Sequence, residues 1–369
     1  MLVFAKAQTV STLVPFNVGD DLHYGIDGYI YSSHYGEGFF RKIDPESGSV
    51  DTILAITDAT IGAIEVDDSL KIFTSSYDNG WIGYFREGDT TITHLVEGFS
   101  GPAGITHGSD GILYVANNQN ARIIRIQPNG QFDIFTLGNP LFWPTGITID
   151  PDNNLYVASL FNGQIIKITP NRQMSVLGNL PAILDNNEDV AYLTWASGKL
   201  YICHFGRHTI YEMDAETGDF HILAGTGQPG NADGPALEAT FERPTGIAAS
   251  PTGDTLYVTD GVAPNQRLRR IVLQGPNAAV APTPALNVLK LRANPVGDHL
   301  VAEITLNAFS SPIYSIVDVG GKIWTKQPLL DLPAGKHILE LPLSQLPTGS
   351  YFLHLNSELG NWVEKFVKT

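Results

Sequence analysis

The chain has 369 residues, 43% of them hydrophobic, and carries a formal net charge of −16. This length suffices for two domains with apolar cores, and no run of about 18 apolar residues is present that could cross a membrane. Residues 287–369 hold seven acidic and seven basic side chains, so the negative excess lies in the first three quarters of the chain. Because phosphate backbones are bound by clusters of Lys and Arg, this charge argues against nucleic acid as a partner.

The N-terminal residues 1–7 end in Ala5-Lys6-Ala7, a small-residue pattern typical of signal-peptide cleavage sites. We interpret residues 1–7 as the remnant of a signal peptide, and a short irregular start is the alternative. The next stretch, TVSTLV at residues 9–14, is similar to the outermost strand of the repeats that follow.

An aromatic residue, here called the anchor, recurs in the same context at intervals of 42, 41, 42, 45 and 56 residues. Around each anchor the sequence predicts a meander of four short strands, most clearly in residues 143–177, where Asn162-Gly163 is a hairpin signal. One such sheet cannot bury both of its faces, so residues 8–274 are predicted to form a six-bladed β-propeller. The six anchors are Tyr31, Phe73, Tyr114, Tyr156, Tyr201 and Tyr257.

The sixth repeat has no outer strand of its own, because a Pro- and Ala-rich stretch follows its third strand. We therefore predict that residues 9–14 supply this strand and close the propeller. Closure of this kind removes exposed strand edges.

The residue three positions after each anchor ends the second strand of its blade, which predicts a ring around one mouth of the channel. This strand-end ring comprises His34, Ser76, Asn117, Ser159, His204 and Asp260. Histidine and carboxylate side chains converging on a channel mouth could bind a ligand or perform acid–base chemistry. The candidate ligand-binding residues are His34, Asn117, Asp189, His204 and Asp260.

Three of these residues, His34, His204 and Asp260, could also hold a divalent cation such as Ca²⁺ or Zn²⁺. The alternative is a hydrated polar rim in which Asp260 bonds to blade backbone. Asp185–Asp189 is oxygen-rich, but it lacks calcium-loop spacing and is predicted to be a solvated loop. The strand containing Arg267, Arg269 and Arg270 is predicted to expose a basic face, and Cys203, the single cysteine, to be buried.

The run AGTGQPGNADGPALEATFERPTGIAASPTGDTLYVTD, residues 224–260, resembles the NHL-repeat pattern. This resemblance implies a propeller from a group that includes protein-binding and RNA-binding modules. Gluconolactonase-like, strictosidine-synthase-like and streptogramin-lyase-like enzymes are related to it. The sequence lacks both the Glu of the lactonase pattern in its first blade and any Glu-x-His pair, so the resemblance specifies the fold and not an activity.

Residues 275–286 are predicted to be a linker, and residues 287–369 a small Ig-like β-sandwich with short alternating strands. Four of its motifs, NPVGDHL, DVGG, LPTGSYFL and the terminal KFVK, resemble the C-terminal sorting domain of the type IX secretion system. The alternative is a carbohydrate-binding or adhesive sandwich. The motif residues singled out are Asn294, Pro295, Asp298, Gly321, Gly349, Tyr351, Lys365 and Lys368.

The second resemblance implies export by the type IX machinery of a Gram-negative bacterium, with secretion or display on the outer-membrane surface. The fold class is thus all-β, an NHL-like propeller followed by a sorting sandwich. We expect a monomeric, non-catalytic module that binds a protein, glycan or small molecule, with no certain cofactor. The alternative is a metal-dependent lactonase- or lyase-like hydrolase acting at the propeller mouth.

Overall fold

The computed structural model describes residues 8–57, 60–181, 190–261, 265–273, 288–292, 294–306, 312–319, 322–329, 335–357 and 360–369. The predicted signal remnant, the predicted linker, Asp185–Asp189 and Gly321 lie outside these residues. The chain divides into two compact units near residue 275. Within the described ranges the only helices are two 3-10 turns, Asn118–Asn120 and Phe205–Arg207, and no helix is long and apolar enough to span a membrane.

The first unit contains six antiparallel sheets in its described residues, one for each predicted repeat, and the all-β fold is confirmed. The first three blades follow one another along the chain after strand β1, Thr9–Val14. Blade 1 contains strands β2 to β5, which are Asp21–Tyr24, Ile30–Ser33, Phe39–Ile43 and Val50–Ala55. Blade 2 contains strands β6 to β9, which are Ile61–Val66, Ile72–Ser76, Trp81–Phe85 and Thr93–Glu97. Blade 3 contains strands β10 to β13, which are Pro102–His107, Leu113–Asn117, Arg122–Ile126 and Phe132–Leu137.

Blades 4 and 5 have the same order from the inner to the outer strand, whereas the first strand of blade 6 in sequence lies at its outer edge. Blade 4 contains strands β14 to β17, which are Pro144–Ile149, Leu155–Ser159, Gln164–Ile168 and Met174–Asn179. Blade 5 contains strands β18 to β21, which are Leu193–Ala196, Lys199–His204, Thr209–Asp214 and Phe220–Ala224. Blade 6 contains strands β22 to β25, which are Gly234–Pro235, Ile247–Ala249, Thr255–Asp260 and Arg267–Val272.

The six inner strands form a closed ring around a central channel. Each inner strand contacts the inner strand of the next blade, and β23 of blade 6 contacts β2 of blade 1. A Pro-x-Gly sequence recurs at residues 102–104, 144–146 and 244–246. Its glycine permits this approach, because a Cβ at Gly104 would clash with the Thr145 carbonyl and one at Gly246 with the Asp20 carbonyl. The recurrent glycine is therefore a packing requirement of the inner ring.

The N-terminal strand closes the propeller as predicted. Strand β1 pairs antiparallel with β25, with Thr9 opposite Val272 and Val14 opposite Leu268, and it buries Val10 and Val14. The sequence did not predict β22, which pairs with the other edge of β1 and makes the last sheet five-stranded.

A buried arginine fastens this closure. Arg269 is fully buried, so the prediction of an exposed basic strand face is wrong at this position. Its guanidinium donates to Asp260 at 2.7 Å and to Asp233 at 2.9 Å. Asp233 in turn accepts hydrogen bonds from the backbone N–H and hydroxyl of Thr12 on β1. The charge is buried because two carboxylates and two backbone carbonyls, those of Ala232 and Thr240, compensate it.

The second unit is a sandwich of two antiparallel sheets in its described residues. Its core contains Leu300, Ile316, Leu353 and Phe366, each fully buried. The sequence predicted five of its strands and missed Ile323–Pro328 and the terminal strand. In chain order β26 to β32 are Val288–Leu291, His299–Leu306, Ile313–Asp318, Ile323–Pro328, Gly335–Pro342, Gly349–Ser357 and Gly360–Lys368.

Candidate ligand-binding site in the central channel

The channel contains a cavity of about 420 Å³ lined by residues of all six inner strands. In each blade one lining residue pairs directly with the anchor on the second strand, as His23 pairs with Tyr31 and Glu65 with Phe73. These six residues lie at one level of the channel, and we call them the anchor-level ring. The anchor-level ring consists of His23, Glu65, Thr106, Thr148, Thr194 and Ala248.

Glu65 bridges two histidines across three blades. One carboxylate oxygen lies 2.9 Å from Nδ1 of His23, and the other lies 2.7 Å from Nδ1 of His107 and also accepts the His107 backbone N–H. Burial alone would raise the pKa of Glu65, but the attraction of His23 and the hydrogen bonds from both imidazoles outweigh it and lower this pKa to about 2. Glu65 is therefore an ionised, buried carboxylate at neutral pH.

A second carboxyl group, that of Asp21, lines the same cavity, and its pKa is shifted in the opposite direction. Asp21 is buried at the start of β2, and its oxygens accept the backbone N–H groups of Leu22 and Ile64. Burial raises the pKa of Asp21 to about 8, against the effect of these two hydrogen bonds. The cavity thus pairs a protonated carboxyl group with an ionised one, a separation typical of acid–base sites.

The residues of the predicted strand-end ring lie at or next to the ends of the second strands, and all six are buried. His34 Nε2 is 2.9 Å from Gln266 Oε1, and Asn117 accepts the Ser100 N–H and donates to Asn120. Their side chains are not among those that line the cavity.

Two further members of the ring, His204 and Asp260, also bond to protein groups. His204 Nε2 is 3.0 Å from the Pro181 carbonyl, and burial lowers the pKa of His204 to about 4. Asp260 accepts the Glu242 backbone N–H and pairs with Arg269. The first contact is the one expected if Asp260 bonds to blade backbone and not to a ligand. These contacts use one ring nitrogen of each histidine, and the ligand-binding role of the strand-end ring stays a prediction.

The proposed cation ligands are not brought together. Among the described residues no group of three or more His, Cys, Asp or Glu side chains is arranged to hold a metal ion, and this includes His34, His204 and Asp260. The reason is local, since each of these side chains bonds to a partner in its own or the adjoining blade. Cys203, predicted to be buried, is buried.

Sequence reasoning missed His23, Glu65 and His107 because it considered the ends of the second strands and not the inner strands. A signal was present. His23, Glu65, Thr106 and Thr148 each precede their anchor by eight residues, and polar residues at this offset stand out within apolar inner strands.

The sorting motifs of the second unit meet at the terminal strand β32. Asn294 accepts the Val367 N–H and donates to the Lys365 carbonyl. Lys368 is buried, with its ammonium bonded to the carbonyls of Leu343 and Leu346 and 3.3 Å from Asp298. Tyr351 donates to the Pro347 carbonyl. The motif residues therefore hold the chain terminus within the sandwich.

Comparison with known proteins agrees with both units. Residues 280–369 match the family model of the secretion system C-terminal sorting domain. No curated protein matches the sequence significantly.

Solved structures similar to the chain are propeller proteins. An auxiliary nutrient binding protein from Bacteroides thetaiotaomicron has 17% identity and a TM-score of 0.62, covering 73% of this chain and 77% of its own. A protein of the same description from Bacteroides ovatus has 17% identity and a TM-score of 0.60, with 72% and 77% coverage. A gluconolactonase from Xanthomonas campestris has 14% identity and a TM-score of 0.56, with 73% and 91% coverage. At these identities the likeness concerns the fold. The chain is therefore an NHL-like β-propeller followed by a secretion-system C-terminal sorting domain.

Proposed function

We propose that this protein is displayed on the outer surface of a Gram-negative bacterium and binds a small ligand in the central channel of its propeller. The observation that carries the binding half is the cavity of about 420 Å³, which has the size typical of small-molecule sites. Polar side chains line the cavity, and Glu65 with its two histidines is the main polar group held in a fixed position.

The two nutrient binding proteins add support, since their propellers have the highest TM-scores of the structures compared above. A surface-displayed propeller that takes up a small nutrient would combine their described role with the sorting domain. The cavity is also framed by aromatic side chains, including Tyr24, Tyr192 and Trp195, which can contact the apolar face of a ligand.

The binding half is tested by blocking the cavity. Thr194 is a half-buried member of the anchor-level ring, and Thr194→Trp places an indole in the cavity. Thr93→Trp, on the exposed outer strand of blade 2, is the matched control. A metabolite panel is screened by thermal denaturation. A ligand at about 100 times its Kd stabilises by about 2.7 kcal/mol, or roughly 5–10 °C, in the wild type and the control but not in Thr194→Trp. Equal shifts in all three proteins would place binding elsewhere.

The display half is tested by releasing the terminal strand. Asn294→Ala removes both hydrogen bonds to β32, and we expect the protein to remain in the periplasm of a host with type IX machinery. Asn129→Ala, which also removes one donated and one accepted hydrogen bond but in an exposed turn of the propeller, is the control. Surface exposure of Asn294→Ala at the wild-type level, measured by protease accessibility on whole cells, would contradict this role.

A second candidate function is hydrolysis of a small substrate such as a lactone in the same cavity. It is favoured by two groups that line the same cavity. Asp21, whose pKa is raised, could serve as general acid, and His23, which contacts the ionised Glu65, could serve as general base. Turnover of a δ-lactone panel that is lost in Asp21→Asn would support it. Repeating the assay with chelator would test whether a divalent cation takes part, as the lactonase-like alternative expects.

A further inference from the structure

The polar wall of the cavity indicates which chemistry the ligand has, and this inference rests on the proposed binding function. We propose that the cavity takes an uncharged polyhydroxylated ligand, a sugar or sugar alcohol, whose hydroxyl group donates a hydrogen bond to Nε2 of His23.

The first step is the tautomer of His23. An ionised carboxylate can only accept hydrogen bonds, so the 2.9 Å contact with Glu65 requires a proton on Nδ1 of His23. In a neutral imidazole the other nitrogen, Nε2, is then an acceptor. Nε2 of His23 forms no hydrogen bond with the part of the chain that the structure describes, and the ring lines the cavity. In the neutral ring this acceptor is positioned for a donor supplied by a ligand.

The second step concerns what the protein offers beside it. The anchor-level ring continues from His23 and Glu65 with Thr106, Thr148 and Thr194, whose hydroxyl groups can donate or accept. One of them, the Thr148 hydroxyl, already accepts the backbone N–H of Trp195 and retains its own proton as a donor. Three threonine hydroxyl groups near the acceptor Nε2 of His23 match a ligand that carries several hydroxyl groups of its own.

The third step is charge. Among the described residues no Lys or Arg lines the cavity, so an anionic ligand would meet the ionised Glu65 without a lysine or arginine to compensate its charge. A cationic ligand is not favoured either, because both Glu65 oxygens are bonded to imidazoles and the Asp21 oxygens accept backbone N–H groups. An uncharged ligand satisfies the acceptor on His23 without either cost.

The test uses the full chain and isothermal titration calorimetry at pH 7.5. The probes are neutral hexoses, pentoses and hexitols, together with the corresponding 6-phosphates, uronic acids and amino sugars. We expect at least one neutral probe to bind, with its phosphate, uronate and amino analogues at least tenfold weaker. His23→Ala and Glu65→Gln should each weaken the neutral probe at least tenfold.

An exposed pair provides the matched control. His94 and Glu97 form the same Nδ1-to-carboxylate contact at 2.7 Å on the outer strand of blade 2, outside the cavity. His94→Ala and Glu97→Gln should leave the affinity unchanged. Because Glu65→Gln alters a buried cluster, ¹⁵N NMR of the wild type provides a second measurement. The proposal requires an Nε2 of His23 without a proton, and its resonance should shift when the neutral probe is added.

The outcomes separate the two proposals. Tighter binding of a charged analogue, or neutral-probe binding that is indifferent to His23→Ala and leaves the Nε2 resonance unmoved, overturns the inference. If Thr194→Trp still abolishes that binding, the channel remains the site and the proposed function survives. If none of these probes binds but another metabolite binds and is blocked by Thr194→Trp, the inference again fails alone. If no metabolite binding is blocked by Thr194→Trp, both proposals fail.

Discussion

The strand-end ring and the anchor-level ring both place polar side chains around one channel axis, yet they use them differently. Asp260 and His204 are fully buried and bond to groups in their own or the adjoining blade. His23 and Glu65 also bond across blades, but they border an open volume. Polar residues at a channel therefore do not by themselves mark a site. A site needs hydrogen-bonding groups that are fixed by the protein and still face a space that a ligand can enter.

The largest expected effect tests the structural role of the strand-end ring. Asp260 belongs to the network Asp260–Arg269–Asp233–Thr12 that fastens the closing strand. Deleting residues 1–16 removes that strand together with the buried Val10 and Val14, a loss of about 3–6 kcal/mol. We expect the propeller transition to fall by roughly 10 °C or more in differential scanning calorimetry. A truncated chain that melts like the full chain would show that closure does not depend on β1.

A smaller change tests the same network through a single residue. Asp260→Ala leaves the buried Arg269 with one carboxylate partner in place of two, and we expect a loss of about 3 kcal/mol in the free energy of unfolding. Asp133→Ala is the control, since Asp133 pairs with Arg125 and Arg172 at the surface and should cost no more than about 1 kcal/mol. Equal losses in denaturant titrations would mean that burial of the pair is unimportant.

The next prediction concerns pH and the anchor-level side of the comparison. The pKa of Asp21 is raised to about 8, so the folded protein holds this proton more tightly than the unfolded chain does. Its contribution to stability is present below about pH 4 and is lost as the pH rises through about 8. Asp21→Asn should remove this decline, measured as the difference between the stability–pH curves of variant and wild type. A parallel pair of curves from pH 4 to 8 would contradict the raised pKa.

Glu65 gives the opposite slope in the same cavity. Its pKa is lowered to about 2, so its contribution is present above about pH 4.5 and is lost as the pH falls through about 2. The difference curve between wild type and Glu65→Gln should therefore bend in acid. Glu97→Gln, at the exposed counterpart of this contact, is the control and should show a much weaker bend. A difference curve that stays flat from pH 5 down to 2 would mean that the carboxylate is not stabilised by its histidines.

These differences show how far the sequence could be interpreted. The closing strand was predictable because the sixth repeat lacks an outer strand and residues 9–14 match the missing pattern. The burial of Arg269 was not predictable, because the carboxylates that compensate its charge, those of Asp260 and Asp233, lie 9 and 36 residues earlier in sequence. Glu65 lies 42 residues from each of its histidines, which is the repeat length. The repeat thus indicates which residues share a level, but only the packing of neighbouring blades shows which of them touch and which border empty space.

The smallest expected effect decides directly between the two rings. Asn117→Ala removes the acceptor for the Ser100 N–H and the donor to Asn120, and we expect it to cost about 1 kcal/mol of stability. Asn117 does not line the cavity, so the affinity for a channel ligand should stay within about twofold of the wild type. Loss of a direct contact with the ligand would typically cost about 1 kcal/mol, or a fivefold loss of affinity. Calorimetric titration of the variant with the ligand found in the panel measures this. A tenfold loss of affinity in a variant that loses no more stability than expected would mean that the strand-end ring is part of the binding site.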